Sequence, residues 1–300
     1  MANSNPLWQP SAAQISASPM TAFMRFCESR AGHGFADYDS FHHWSISERG
    51  PFWNAVWDYC GVVGEKGGTQ LVDEGHMLEA RFFPEASLNF AENLLKETGN
   101  GDALVFRGED KVSYRWTWDA LHQTVSRLQQ AMQAMGIGAG DRVAAMMPNM
   151  PETYALMLAV TSLGAIWSSC SPDFGEQGVL DRFGQIEPKL FIACDAYWYN
   201  GKKQDVADKV RAVAAKLGVA VLVVPYAGDA EALASSLPNG RTFMQFIGSI
   251  TPKAVEFRRM PFSHPVYILF SSGTTGVPKC IVHSAGGTLL QHLKEHAFHC

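Results

Sequence analysis

The apolar positions of this chain follow two regimes. Through the first 60 residues they are mostly aromatics at helical spacing, as with Trp53 and Trp57, which are four apart and share one helix face. Pro51 fits the first position of that helix. A glycine-rich break over 61–70 precedes a strand predicted over Met77–Phe83, and residues 83–95 read as a turn followed by a helix. From about residue 98 apolar runs alternate with amphipathic stretches. Thr117 caps a helix whose Leu121, Val125, Leu128, Met132 and Met135 recur at intervals of four, three, four and three before Gly136 ends it. The pattern then predicts strand Val143–Met147, a helix opened near Pro151, strands Ala165–Ser169 and Leu190–Cys194, a helix over Asp205–Leu217 and strand Val219–Val224. Strand Val266–Phe270, a polar loop, strand Cys280–His283 and a helix from near Gly287 to Cys300 complete it.

Repeated strand–helix–strand units imply an α/β fold, with largely parallel sheets flanked by helices. Eleven aromatics in the first 60 residues argue for a packed helical lobe in front of it. The expected division is therefore an N-terminal lobe over 1–97 and a second domain over 98–300.

A length of 300 residues suits two domains, and 47% hydrophobic with 18% charged residues excludes disordered and fibrous classes. The formal charge of −5 and scattered basic residues leave no footprint for nucleic acid or an anionic membrane. Small-molecule chemistry is the class that remains. The stretch Thr153–Pro172 lacks charge, but Gly164, Ser168, Ser169 and Ser171 interrupt it, which favours a buried helix and strand over a membrane crossing. The start has neither a basic region nor an apolar run of a secretory signal. Six cysteines far apart, with no metal-ligand spacing, suit a reducing compartment, and the cytoplasm is expected.

The segment richest in chemistry is Ser271-Ser272-Gly273-Thr274-Thr275-Gly276-Val277-Pro278-Lys279, directly after an apolar strand. Glycines permit turns that expose backbone N–H groups, hydroxyls add donors, and Lys279 adds a positive charge. Those are the requirements for holding a polyphosphate. The order of residues differs from a Walker A loop, since Pro278 precedes the lysine and Cys280 follows it. A solvated surface loop is the plainer alternative, though such loops seldom join two apolar strands.

Three other patterns are weaker. His292, Glu295 and His296 satisfy a zincin-like spacing, yet no third ligand is identifiable, and no protein-held metal is expected. Gly136, Gly138 and Gly140 imitate a dinucleotide loop but follow a helix and precede a strand, so they read as a C-cap and turn. Cys280 and His283 read as a buried strand thiol and a satisfied strand histidine.

On these residues the chain resembles the adenylate-forming superfamily of acyl-CoA synthetases, whose phosphate loop has the same serine, glycine, threonine, proline and lysine order. Tyr114 to Trp118 resembles that family's helix start, and Leu163-Gly164-Ala165-Ile166 its strand entry. The N-terminal lobe and residues 83–95 are similar to the acetyl-CoA-synthetase branch. Residues 7–24, 167–175 and 270–296 are most similar to members that activate acetoacetate. The resemblance implies ATP with Mg2+, acetoacetate and CoA as small-molecule partners, and an acid-thiol ligase forming AMP. It assigns Ser271, Ser272, Gly273, Thr274, Thr275, Gly276 and Lys279 to the ATP phosphates, with Lys279, Thr274 and Thr275 acting in catalysis. It sets Phe174 against the CoA adenine and Lys202 or Lys203 against the 3′-phosphate; a core phenylalanine and a solvated basic turn stand as the alternatives. Family members are longer, and their adenine motifs and adenylation lysine lie beyond residue 300. The chain therefore reads as an incomplete N-terminal part, expected to release no pyrophosphate alone. Another acid specificity, or a non-catalytic nucleotide-binding module, is the alternative function.

Overall fold

The computed structural model describes residues 7–73, 75–271 and 276–300. It divides into two compact units, one of Met1–Ser87, Pro261–Ser263 and Gly286–Cys300, the other of Leu88–Met260 and His264–Ala285.

The second unit is built on a seven-stranded sheet. Its strands are β1 (Arg142–Met146), β2 (Ile166–Cys170), β3 (Leu190–Cys194), β4 (Ala220–Val224), β5 (Gly240–Thr242), β6 (Pro265–Phe270) and β7 (Cys280–Ser284). They lie in the order β5-β4-β3-β1-β2-β6-β7, and every pairing is parallel except that of β6 with β7. Val143 to Met146 and all of β3 are buried, because a parallel sheet covered on both faces needs unbroken apolar strands. Helix Trp118–Ala134 packs on Pro151–Ser162, and Glu176–Phe183 on Ala207–Leu217. In the first of these, the Thr117 hydroxyl accepts the Ala120 N–H at 3.2 Å, and Leu121, Val125, Leu128 and Met132 form the buried face. The cap and the spacing legible in the sequence thus become one cap bond and one packed stripe.

Several local expectations change. Met77 and Leu78 are exposed, and only Arg81–Phe82 of the predicted strand pairs, because a turn consumes the residues after Gly75, whose φ is +88°. Tyr114 to Thr117 belongs to a strand, Val112–Thr117, paired antiparallel with Asp102–Gly108, and the helix begins only at Trp118. Asp205 ends a strand instead of opening a helix; Ala196–Tyr199 and Lys202–Asp205 form a hairpin whose turn residues, Asn200 and Gly201, have φ of +50° and +71°. That is the two-residue asparagine-glycine turn whose twist suits a hairpin. The last helix runs Ala285–Phe298 and so ends before Cys300.

In the first unit, helices Pro19–Ala31, Tyr38–Ser47 and Arg49–Tyr59 bring aromatics together. Phe23 is fully buried and stacks on Phe298 at 4.0 Å, with Phe41 and Phe52 at its edges. Pro51 is the third residue of its helix, not the first; its missing N–H still falls among the groups that lack a partner in a first turn.

Candidate functional site

Since β1 to β6 run parallel, their carboxyl ends open at one edge of the sheet. The residues after β2, the hairpin after β3 and the loop after β6 all leave from that edge. The strand order reverses around β1, which lies between β3 and β2, and ligands of open α/β sheets bind beside such a switch point. Topology thus collects segments that are 100 residues apart in sequence.

The loop after β6 has a closed neck. Phe270 pairs with Cys280; the Ser271 N–H donates to the Lys279 carbonyl at 3.1 Å, and the Lys279 N–H donates to Ser271 Oγ at 3.0 Å. Gly276 has a φ of +148°, which glycine alone adopts readily. Pro278 is buried and its carbonyl accepts from Gln185 Nε2 at 2.8 Å, while Lys279 is exposed and makes no ion pair among the described residues. Ser272, Gly273, Thr274 and Thr275 lie outside the described residues. Of the expected phosphate contacts, Ser271 is partly engaged in the neck, and Lys279 presents a free cation.

Phe174 lies four residues beyond β2 and is 38% exposed. The Arg182 guanidinium stands 4.1 Å from the centre of its ring. Lys209 Nζ donates to the Phe174 carbonyl at 2.8 Å, and the neighbouring Asp173 accepts from Ser171 Oγ and Tyr197 Oη, each at 2.6 Å. Those hydroxyls hold the Asp173 carboxyl below its ordinary range, and burial, followed by the Asp173 hydrogen bond, pushes the Tyr197 phenol up. Tyr197 belongs to the same hairpin as Lys202 and Lys203, so a hydrogen bond ties that hairpin to the segment carrying Phe174. Both lysines are exposed, opposite Tyr199 and Trp198 respectively. Gly201 N–H donates to Glu109 Oε2 at 2.7 Å, which fixes the turn before them.

The weaker patterns sort themselves out. No group of three or more metal-ligating side chains converges among the described residues, although the His292 and His296 rings are 6.5 Å apart. Gly136 and Gly140, with φ of +74° and +79°, form the turn into β1 as expected. His283 is half-buried, 5.2 Å from the Tyr267 ring. Cys280 is exposed, contrary to the buried thiol expected, because β7 is an edge strand; its Sγ is 3.7 Å from Gln185 Oε1. Arg182, Gln185, Tyr197, Lys209 and Glu109 were not anticipated. The one signal available for any of them was the Asn200-Gly201 pair, which marks the hairpin.

Comparison with known proteins agrees with this architecture. A family model described as "AMP-binding enzyme" matches residues 91–299. The chain is 70% identical over 295 residues to the acetoacetyl-coenzyme A synthetase of Rhizobium meliloti, covering 98% of this chain and 45% of that protein. It is 41% identical over 306 residues to a malonamoyl-CoA synthetase of Penicillium aethiopicum, covering 97% and 42%. The solved acetoacetyl-CoA synthetase from Streptomyces lividans superposes with a TM-score of 0.91 at 35% identity, over 99% of this chain and 46% of that one. The chain spans about half the length of the curated relatives it matches.

Proposed function

The chain belongs to the AMP-binding enzymes, and on that premise we propose that it takes part in ATP-dependent activation of acetoacetate to acetoacetyl-CoA through an acyl-adenylate, with AMP and pyrophosphate released. The observation that carries the reading is the loop leaving the carboxyl end of β6 with an unpaired Lys279 at its neck. The choice of acid is supported by 70% identity to a protein named for acetoacetate.

A carboxylate attacking the α-phosphorus of ATP is one anion approaching another, so the barrier is largely electrostatic. Lys279 would neutralise charge on the β- and γ-phosphates, with the backbone of residues 272–276 and the Thr274 and Thr275 hydroxyls as further donors. Ser271 would hold the neck closed around them. In the second half-reaction the CoA thiol attacks the acyl carbonyl and AMP leaves; Phe174 would stack on the CoA adenine, and Lys202 or Lys203 would meet its 3′-phosphate. Mg2+ would enter with the ATP phosphates as their charge-neutralising partner. Residues 1–97 are read as the lobe of the acetyl-CoA-synthetase type and 98–300 as the adenylate-forming domain. A cytoplasmic setting agrees with six free thiols, and no helix of the described residues is long and apolar enough to cross a membrane.

The test joins this chain to the remaining segment of its Rhizobium relative and measures pyrophosphate release with acetoacetate, malonamate, acetate and butyrate. Highest turnover with acetoacetate is expected. Preference for malonamate would favour the second reading, another acid specificity, which the likeness to a malonamoyl-CoA synthetase supports. A folded chimaera that binds MgATP but releases no pyrophosphate with any acid would leave a nucleotide-binding module.

A further inference from the structure

Arg182 is more than nine-tenths buried, yet it makes no ion pair among the described residues. A guanidinium cannot shed its charge, and an enclosed cation without a counter-ion is costly to keep. Its surroundings are aromatic: the Phe174 ring centre is 4.1 Å away and that of Phe270 is 5.9 Å away. One nitrogen, Nη1, donates to the Gly178 carbonyl at 2.6 Å. Among the described residues its other nitrogens, Nε and Nη2, make no hydrogen bond. Phe174 follows β2, and Phe270 is the last residue before the loop of Ser271–Lys279. The guanidinium is therefore held in place between the two segments at the carboxyl edge of the sheet.

We propose that Arg182 is an anion-binding residue whose counter-ion is a phosphate group of a nucleotide substrate. Planar, immobilised N–H donors suit phosphate oxygens, and the cost of keeping the cation enclosed is recovered when the anion arrives. The other cationic side chains of this edge differ from it: Lys209 donates to two carbonyls, and Lys202, Lys203 and Lys279 are exposed. The phosphate comes either from the ATP polyphosphate or from CoA. The proposal shares a sheet edge with the loop reading but does not depend on Lys279, so the two can fail separately.

The test is calorimetric titration of the 300-residue chain with Mg2+-tripolyphosphate, CoA and dephospho-CoA, for the wild type and for Arg182→Met, Arg182→Lys and Lys279→Ala. Arg182→Met weakens its anion by about ten- to a hundredfold, the scale of lost charge-assisted hydrogen bonds, and Arg182→Lys by about three- to tenfold. A loss confined to tripolyphosphate identifies ATP as the source. A loss for CoA but not for dephospho-CoA identifies the 3′-phosphate, and an equal loss for both identifies the diphosphate. If Arg182→Met does not fold, the lysine variant is read in its place, since it keeps the stem and the charge. Folded Arg182 variants that bind all three probes like the wild type overturn the proposal, as does a wild-type chain that binds none of them. Wild-type affinity for Mg2+-tripolyphosphate in Lys279→Ala overturns the loop reading, and a loss in Arg182→Met beside it leaves this one standing.

Discussion

Removing the Lys279 ammonium tests the polyphosphate reading at a single atom. Its backbone N–H is used by Ser271, whereas the side chain is exposed and makes no ion pair among the described residues, so Lys279→Ala deletes charge without undoing a fold contact. Affinity for MgATP, measured by calorimetry, is expected to fall by roughly ten- to a hundredfold, or ~1.5–3 kcal/mol. Unchanged binding by a folded variant would remove Lys279 from the site. Glu152 gives a second residue-scale test. Burial raises its carboxyl above the usual range, against the opposing hydrogen bond from the Tyr114 hydroxyl at 2.7 Å. A raised acid favours the protonated fold: its stabilising contribution is full below the unfolded value and is lost as pH rises through the folded one. Glu152→Gln keeps an acceptor for Tyr114 and removes the charge, so its stability relative to the wild type should be greater at pH 8 than at pH 4 in urea unfolding. The opposite ordering would contradict the raised value. Lys279 was legible in the sequence because the loop's chemistry is written in consecutive residues. Arg182 and Gln185 were not, because their contacts with Phe270 and with Pro278 and Cys280 form only when distant segments become neighbours.

At the scale of elements, six of the seven sheet strands were legible to within a residue or so, because buried strands demand unbroken apolar runs, whereas the three-residue β5, Gly240–Thr242, carries no such run and was not predicted. The hairpin over 196–205 was missed although Asn200-Gly201 marks it, since Lys202 to Asp205 carries no apolar signal. The segment between β5 and β6 is harder still. Much of it is neither helix nor strand, and side-chain hydrogen bonds from distant elements hold it. Gln129, fully buried, donates to Ser162 Oγ and the Glu256 carbonyl, each at 2.6 Å, and accepts the Glu256 N–H at 3.1 Å. Asn89 reaches the Arg258 carbonyl at 2.8 Å and those of Thr161 and Ser162 from the same nitrogen. Gln129→Ala would strand the Glu256 amide and open a void, which should cost about 2–4 kcal/mol. Equilibrium urea unfolding reads that directly. A loss under about 0.5 kcal/mol, ordinary for a surface change, would mean that water replaces the glutamine and the segment is not pinned there.

Across the whole molecule the six thiols divide by environment, and that division can be measured in one experiment. Cys27 and Cys194 are buried and Cys170 is half-buried; in each case burial pushes the thiol up to about 12. Reaction with a disulfide reagent requires the thiolate, and at pH 8 a pKa near 12 leaves about one molecule in ten thousand ionised. Cys280 and Cys300 are exposed, and Cys60 is intermediate. The native chain should therefore show two fast thiols, one slower, and three that react only after unfolding. The fast pair then separates by function. Cys280 follows Lys279 directly and faces Gln185, so a polyphosphate held at the loop should shield it, while Cys300 is not part of that loop. Saturating MgATP is expected to slow one fast thiol at least severalfold and leave the other alone, and Cys280→Ser should abolish the protected phase. Rapid modification of more than three thiols in the native chain would contradict the burial pattern. Protection of neither fast thiol in a chain that binds MgATP would move the phosphate site away from the neck between β6 and β7.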